Sequence, residues 1–514
     1  MSISFFMHLF TNGFIFFSKE TAWAKELLTD DNGTIVAISK TEHGLKHSER
    51  DAEIVDLKGG YLFPAFEDAH NHPAMMCRLF SDLNINGVQS WTEAQAAIRS
   101  YIAAHPRKEW YSVYGWNNAT WGDLKDTDID PLTEKPLFIM NISFHGGVLN
   151  TAAQRKLRED RVEVAHDHGV VEEEQFQIVE ALTLPKYDEL LSLIPQFERE
   201  LHTQGIVSVH DMWIATMDQL EAYMDLDRTG KLSLNVAGHI SSDLLNHPKI
   251  HAALAHTGPH FSVAGIKIFL DGAIGVHTAF MSNPYKDVRH RGIPRGSFPD
   301  VATKIAKAYH AGLRSFAIHA IGDAAISTVL TICEKLSRKY TDASWRIEHS
   351  EVIHPRDIQR MVHLPITLVM QPNFSWDIGN YKDRLGDMVR WINPFRLLLN
   401  GNVAVAFGSD NMPTNPFQGI AWALEYGAYP EQKITRKEAM ALYTAGGAKL
   451  AQEKKTRGSI DVGKKANLML LDQNPFDETV SLERIRVLET WFEGKPQLSS
   501  RVMERHPAHA QHIA

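Results

Sequence analysis

Cysteine is scarce in this chain: Cys77 and Cys333, far apart, are the only two among 514 residues. That excludes a disulfide framework and a cysteine-based metal knuckle, and it sets a reducing compartment as the expectation. Positive charge is also short. Fifty-three Lys and Arg stand against 62 Asp and Glu, a formal net charge of -9, whereas nucleic acid or an anionic membrane calls for basic patches. Long apolar runs are missing too. The most apolar stretch, "ISFFMHLFTNGFIFF", is interrupted by Thr11-Asn12-Gly13 and falls short of the roughly 20 residues a membrane span needs. No Lys or Arg precedes it, Lys19 being the first, and no small-residue cleavage pattern follows; an export signal would carry both. The expectation is buried strand structure in a cytoplasmic protein, with neither nucleic acid nor membrane as partner. No internal repeat stands out, and 44% hydrophobic with 22% charged residues is the balance of a folded globular chain.

The chain is long for one domain, so a large domain with a smaller companion is the natural prior. Residues 1–62 have an all-β texture, with Asn32-Gly33 in "DDNGTIVAISK" as a hairpin turn. Similar texture returns in "GSIDVGKKANLMLLDQNPF" and "IRVLETWFEGKP". Residues 1–62 and 456–514 are therefore expected to form one small β-sandwich from both chain ends, with the tail "RHPAHAQHIA" frayed. Between them, apolar runs at 62–69, 206–210, 232–239, 264–270, 315–319, 345–349, 366–371 and 403–407 alternate with amphipathic stretches such as "AISTVLTICEKLSRKY". Eight strand–helix units predict a parallel sheet closed into a (β/α)8 TIM barrel over residues 63–455, an α/β fold. The gap of roughly 130 residues between the first two strands exceeds a crossover helix. It is expected to be an inserted subdomain at about 76–200 standing over the barrel mouth.

Metal-capable residues end several of these strands: His70 and His72 in "FPAFEDAHNHP", Lys267 in "GIKIFLDG", His319 in "FAIHAIGD", His349 in "WRIEHSE" and Asp410 in "VAVAFGSD". Barrels carry their chemistry at the C-terminal ends of strands, and divalent ions such as zinc want nitrogen and oxygen donors converging from several directions. Period-two geometry puts His70 and His72 on one face, able to chelate one ion. His319 and His349 arrive on neighbouring strands for a second, and Asp410 adds an oxygen donor that is also a base. Lysine suits such a place if it loses its proton and takes up carbon dioxide, making Lys267 a bridging carbamate. Two ions roughly 3.5–4 Å apart share a hydroxide, lower its pKa and polarise a carbonyl. Asp410 would then shuttle the proton to the leaving group.

In order and context these residues resemble the amidohydrolase superfamily, whose binuclear pattern is HxH, Lys, His, His, Asp on strands one, four, five, six and eight. The phrases "GYLFPAFEDAHNHP", "GIVSVHD", "IKIFLDGAIG", "IHAIGDAAI", "RIEHSEVI" and "FGSDNMP" are similar to the YtcJ-like branch (amidohydrolase family 3), which includes N-substituted formamide deformylases. The resemblance implies that His70, His72 and Asp410 hold one divalent ion, His319 and His349 the other, and carboxylated Lys267 bridges them. Zinc is the first choice; manganese, iron or cobalt also suit the donors. The implied activity is hydrolysis of a non-peptide C–N bond in a small molecule, with Asp410 catalytic, by a chain able to form a homo-oligomer. Alternatives are an ester or lactone hydrolase, a mononuclear deaminase with free Lys267, and a non-catalytic scaffold. Two departures from the family pattern, Ala65 in Pro64-Ala65-Phe66 and Asn467 in Ala466-Asn467-Leu468, remove no ligand.

Other residues admit plainer readings. His210, His239, His310 and His363 read as structural histidines, and Asp323 as a helix N-cap. Asp271 is either a substrate contact or a turn residue, and Gln371 either a substrate contact or a strand cap. Glu348, by alternation with His349, is expected to face the helix layer. Trp116, His145 and Trp213 fit pocket or local core equally, while Trp110, Trp116 and Trp121 hint at a substrate with hydrophobic parts.

Overall fold

The structure is a computed structural model and describes residues 7–17, 22–45, 52–142, 144, 146–164, 167–425 and 430–499. His145 and the tail 505–514 lie outside the described residues. The chain divides into two compact units, Ala74–Ile194 and the remainder. No helix among the described residues is long and apolar enough to cross a membrane.

The larger unit is built on an all-parallel, nearly closed eight-stranded barrel, its strands side by side in chain order. They are Phe66–Asn71, Ile206–Ile214, Asn235–Ser241, Phe261–Phe269, Ser315–Ala320, Ser344–His349, Ile366–Met370 and Ala404–Phe407. Continuous apolar runs such as Ile366–Met370 suit strands covered on both faces. Helices between them begin on designed starts. Thr216 with Gln219, and Ser297 with Asp300, form capping boxes at Met217–Arg228 and Phe298–His310, each satisfying amide donors that a helix start leaves unpaired. Asp323 is not the cap of Asp323–Leu336: Gly322 holds that position, and the Asp323 carboxylate accepts from Ser282 N–H instead. The glycine before it leaves the aspartate one step inside the helix.

The run 62–69 is two strands, not one. Tyr61–Pro64 pairs antiparallel with Leu468–Leu471, whereas Phe66–Asn71 pairs with the second barrel strand. The switch falls at Ala65, whose N–H goes to Asn467 O while that of Phe66 goes to Gly205 O. Two sheets, one of four strands and one of six, flank a shared core of Phe10, Ile15, Leu27, Ile35, Leu62, Leu468, Leu470 and Trp491, drawn from both ends of the chain.

The unit Ala74–Ile194 has a five-stranded mixed sheet and its own apolar clusters. Trp116 is buried there with Trp91 and Trp121 packed on the same cluster, and Trp110 joins a second one. Trp116 and Trp121 also spend their indole N–H groups on Gly122 O and Val88 O. These tryptophans are the core of that unit, which removes them as a hint of a hydrophobic substrate.

Candidate metal centre

His70 is the last residue but one of the first barrel strand and His72 lies just beyond it; Lys267 lies two residues from the end of the fourth; His319 is the last residue but one of the fifth and His349 ends the sixth; Asp410 follows the eighth. The barrel brings them together. His72 Nε2 is 2.9 Å from Asp410 Oδ1, and His70 Nε2 is 3.6 Å from the same oxygen. Lys267 Nζ donates to His70 Nε2 at 3.4 Å. The His349 ring lies 4.6 Å from that of His70 and 4.4 Å from that of His319, centroid to centroid. His70, His72 and Asp410 offer donor atoms all within 4.8 Å of one another.

Three of the four imidazoles are turned by a partner on the far side. His70 Nδ1 donates to Glu348 Oε2 at 2.6 Å, leaving Nε2 as the lone-pair nitrogen facing Lys267 and Asp410. His349 Nδ1 donates to Gln371 Oε1 at 2.9 Å, and His319 Nε2 to Gly272 O at 3.1 Å. Such outer partners fix tautomer and ring orientation in metal sites. His72 Nδ1 is buried with no hydrogen-bond partner among the described residues, and so is Gln371 Nε2. Asp271 accepts backbone N–H from Phe280, Ile321 and Gly322, with one oxygen 3.4 Å from His319 Nε2. Its carboxylate thereby ties the loop after the fourth strand to the end of the fifth. Trp213 stands edge-on to Phe269, whose ring lies 5.1 Å from Lys267 Nζ and 5.3 Å from the His319 ring.

Electrostatics follow from burial. Desolvation, then the charge of Lys267, holds His70 well below the ordinary imidazole range, and His349 is held low by burial and by His319. Both are thus neutral donors. Burial lowers Lys267 to about 8, which gives the amine an appreciable neutral fraction near neutral pH. Glu351 is pushed up to about 8 by burial and then by nearby Asp377, Asp271 and Asp410; nothing in its sequence context singled it out. Asp68, raised to about 6 by burial, accepts from Ser409, Asn71 and the His70 amide.

Two donors sit on strained backbone. His349 has φ 69° and Asp410 φ 53°, left-handed conformations that cost a non-glycine residue of order 1 kcal/mol each and gather at functional sites. The first explains an incorrect expectation. Arg346 and Glu348 share the inward face as period-two geometry requires, and the His349 ring nevertheless reaches His70 and His319. Glu348 therefore faces the donor cluster and not the helix layer. His210 and His239 are structural: His210 joins Glu67 and Arg346, and His239 joins Ser315.

The amidohydrolase family model matches residues 53–497, most of the chain. This protein belongs to the amidohydrolase family. YtcJ of Bacillus subtilis (strain 168), an amidohydrolase by name, is 26% identical over 94% of this chain and 98% of its own. The N-substituted formamide deformylase of Arthrobacter pascens is 24% identical over 90% and 93%. Among solved structures, an uncharacterized metal-dependent hydrolase from Pyrococcus horikoshii OT3 superposes with a TM-score of 0.79 and 26% identity, covering 93% of this chain and 99% of that one. An amidohydrolase with a metal-dependent hydrolase's fold is thus the frame for the donor cluster.

Proposed function

We propose that this amidohydrolase is a binuclear enzyme that cleaves a non-peptide C–N bond, in an amide or an N-substituted formamide-like substrate. The observation that carries the reading is Lys267, a buried amine donating to a histidine nitrogen inside a cluster of metal donors. An ammonium there would repel cations. A neutral amine instead adds to carbon dioxide: an N–C bond forms, a proton leaves, and the carbamate is an anion able to bridge two cations. The neighbouring groups fit. His70, His72 and Asp410 would hold one ion and His319 and His349 the other, and the lone pair of His70 Nε2 already faces into the cluster. Bound there, divalent ions, zinc first by donor type, supply an acidified water and a polarised substrate carbonyl.

The protein's own residues do the rest. Asp410, held by its N–H to His70 O, takes the proton released as water attacks and hands it to the departing nitrogen. Asp271 and Gly272 fix His319, and Gln371 fixes His349. Trp213 and Phe269 set an apolar wall beside Lys267. The relative that deformylates N-substituted formamides supports the choice of substrate class. A one-ion, deaminase-type enzyme is the second reading, favoured by the compactness of His70, His72 and Asp410 alone.

Metal analysis of the purified protein, with a hydrolysis screen over N-formyl, N-acyl, ester and lactone compounds, tests both readings. Two ions per chain and turnover of the amides support the binuclear amidohydrolase. One ion supports the second reading. Absence of metal together with absence of turnover overturns both.

A further inference from the structure

A line of buried charged and polar side chains runs along the barrel interior and ends on a metal-donor histidine. Arg457 donates to Glu67 at 3.0 Å; His210 Nε2 donates to Glu67 at 3.3 Å; Arg346 Nη1 donates to His210 Nδ1 at 2.9 Å. Arg346 then grips Glu348 through both Nε and Nη2, and Glu348 Oε2 accepts from His70 Nδ1 at 2.6 Å. Arg346 Nη2 also donates to Ala69 O at 2.7 Å, so one guanidinium holds both the carboxylate and the backbone next to His70. Glu67, His210, Arg346, Glu348 and His70 are each at most 2% exposed.

We propose that Glu348 is the positioning residue of the metal centre, locked by Arg346 so that His70 is held as its Nδ1–H tautomer with Nε2 aimed at the ion. This rests on the metal-binding reading above. The geometry permits no other tautomer: a carboxylate only accepts, so the hydrogen must sit on Nδ1, and the lone pair is left on Nε2. A negative charge behind the ring also makes it a stronger donor. The network leaves Glu348 little freedom, because Arg346 occupies both of its oxygens and is itself fixed by His210 and Ala69.

The test is zinc affinity, measured by competition with a chromogenic chelator. Glu348→Gln keeps the size and an acceptor oxygen but removes the charge, and affinity should fall about 10- to 100-fold. Because that variant strips a buried guanidinium of its carboxylate, the double variant Arg346→Met/Glu348→Gln is measured beside it, since uncharged replacements of a buried pair are tolerated. It should show the same loss of zinc affinity at a near-native metal-free Tm. Wild-type affinity in the folded double variant overturns the proposal, as does a histidine nitrogen NMR spectrum of metal-free wild-type protein that assigns His70 the Nε2–H tautomer. Wild-type protein that binds no zinc would instead sink the metal-binding reading itself.

Discussion

At one end of the barrel, His70, His72, Lys267, His349 and Asp410 crowd together, with an amine against an imidazole nitrogen and a buried ring nitrogen that nothing among the described residues satisfies. Toward the other end, Glu67 is just as buried but meets Arg457 and His210. Burial pushes the Glu67 carboxyl up, and the charge of Arg457 with the hydrogen bond from His210 more than offsets it, so it sits below the ordinary glutamate value. A cavity of about 280 Å³ opens beside His210, Arg346 and Arg457 there. One region closes its electrostatics with protein alone; the other, on the reading proposed above, is completed by cations. The contrast teaches where to look for function: satisfied buried charge is architecture, while unsatisfied donors of one kind, held rigidly, are a ligand's place.

Removing metal should expose that difference most. Chelation of the loaded enzyme is expected to abolish turnover, with recovery on adding zinc. Zinc at about 1,000 times its Kd should stabilise the fold by about 4 kcal/mol, read as a Tm shift. Next in size, Asp410→Asn should reduce kcat by about 10²- to 10⁴-fold while most of the metal stays bound. Full turnover in that variant would end the proton-shuttle role. The opposite end should respond the other way round. Arg457→Met leaves the buried Glu67 short of its cation, so chemical denaturation should show a loss of about 3 kcal/mol with metal content unchanged.

The smallest effect concerns a buried carboxylate with no cation bonded to it among the described residues. Glu198 accepts from Ser233 N–H and Oγ–H and is raised by burial from 4.5 to about 7. Its folded form therefore binds protons more tightly than its unfolded form. The stability it contributes is fully present below pH 4.5 and is lost as pH rises through about 7. Glu198→Gln should flatten that part of the stability–pH curve; an unchanged slope would assign it to other groups.

The barrel was legible, and so was the gathering of the six candidate residues, because each lies at or near the end of an apolar run, and strand ends in such a fold share one rim. What stayed hidden depends on local backbone and on long-range pairing. Glu348 was assigned outward by counting from His349, yet His349 is the residue whose positive φ departs from regular strand geometry. Tyr61–Pro64 and Phe66–Asn71 looked continuous because both are apolar, and only their separate hydrogen-bond partners divide them. Glu351 gave no signal at all, since its environment is assembled from Asp271, Asp377 and Asp410, far apart in the chain. Aromatic residues in the inserted unit misled for the opposite reason: a small unit needs its tryptophans for its own interior.

The seam where the eighth strand meets the first has a consequence for how the enzyme would fail. A Cβ on Gly408 would fall 2.3 Å from His70 N, and the clasp there consists of Asp410 N–H on His70 O together with Ser409 on Asp68. The proposed proton shuttle is thus fastened to the main chain of a proposed metal ligand, across the join between the eighth strand and the first. Fraying of this one edge would disarm the catalyst while the other strands stayed folded, so heat inactivation should run ahead of melting.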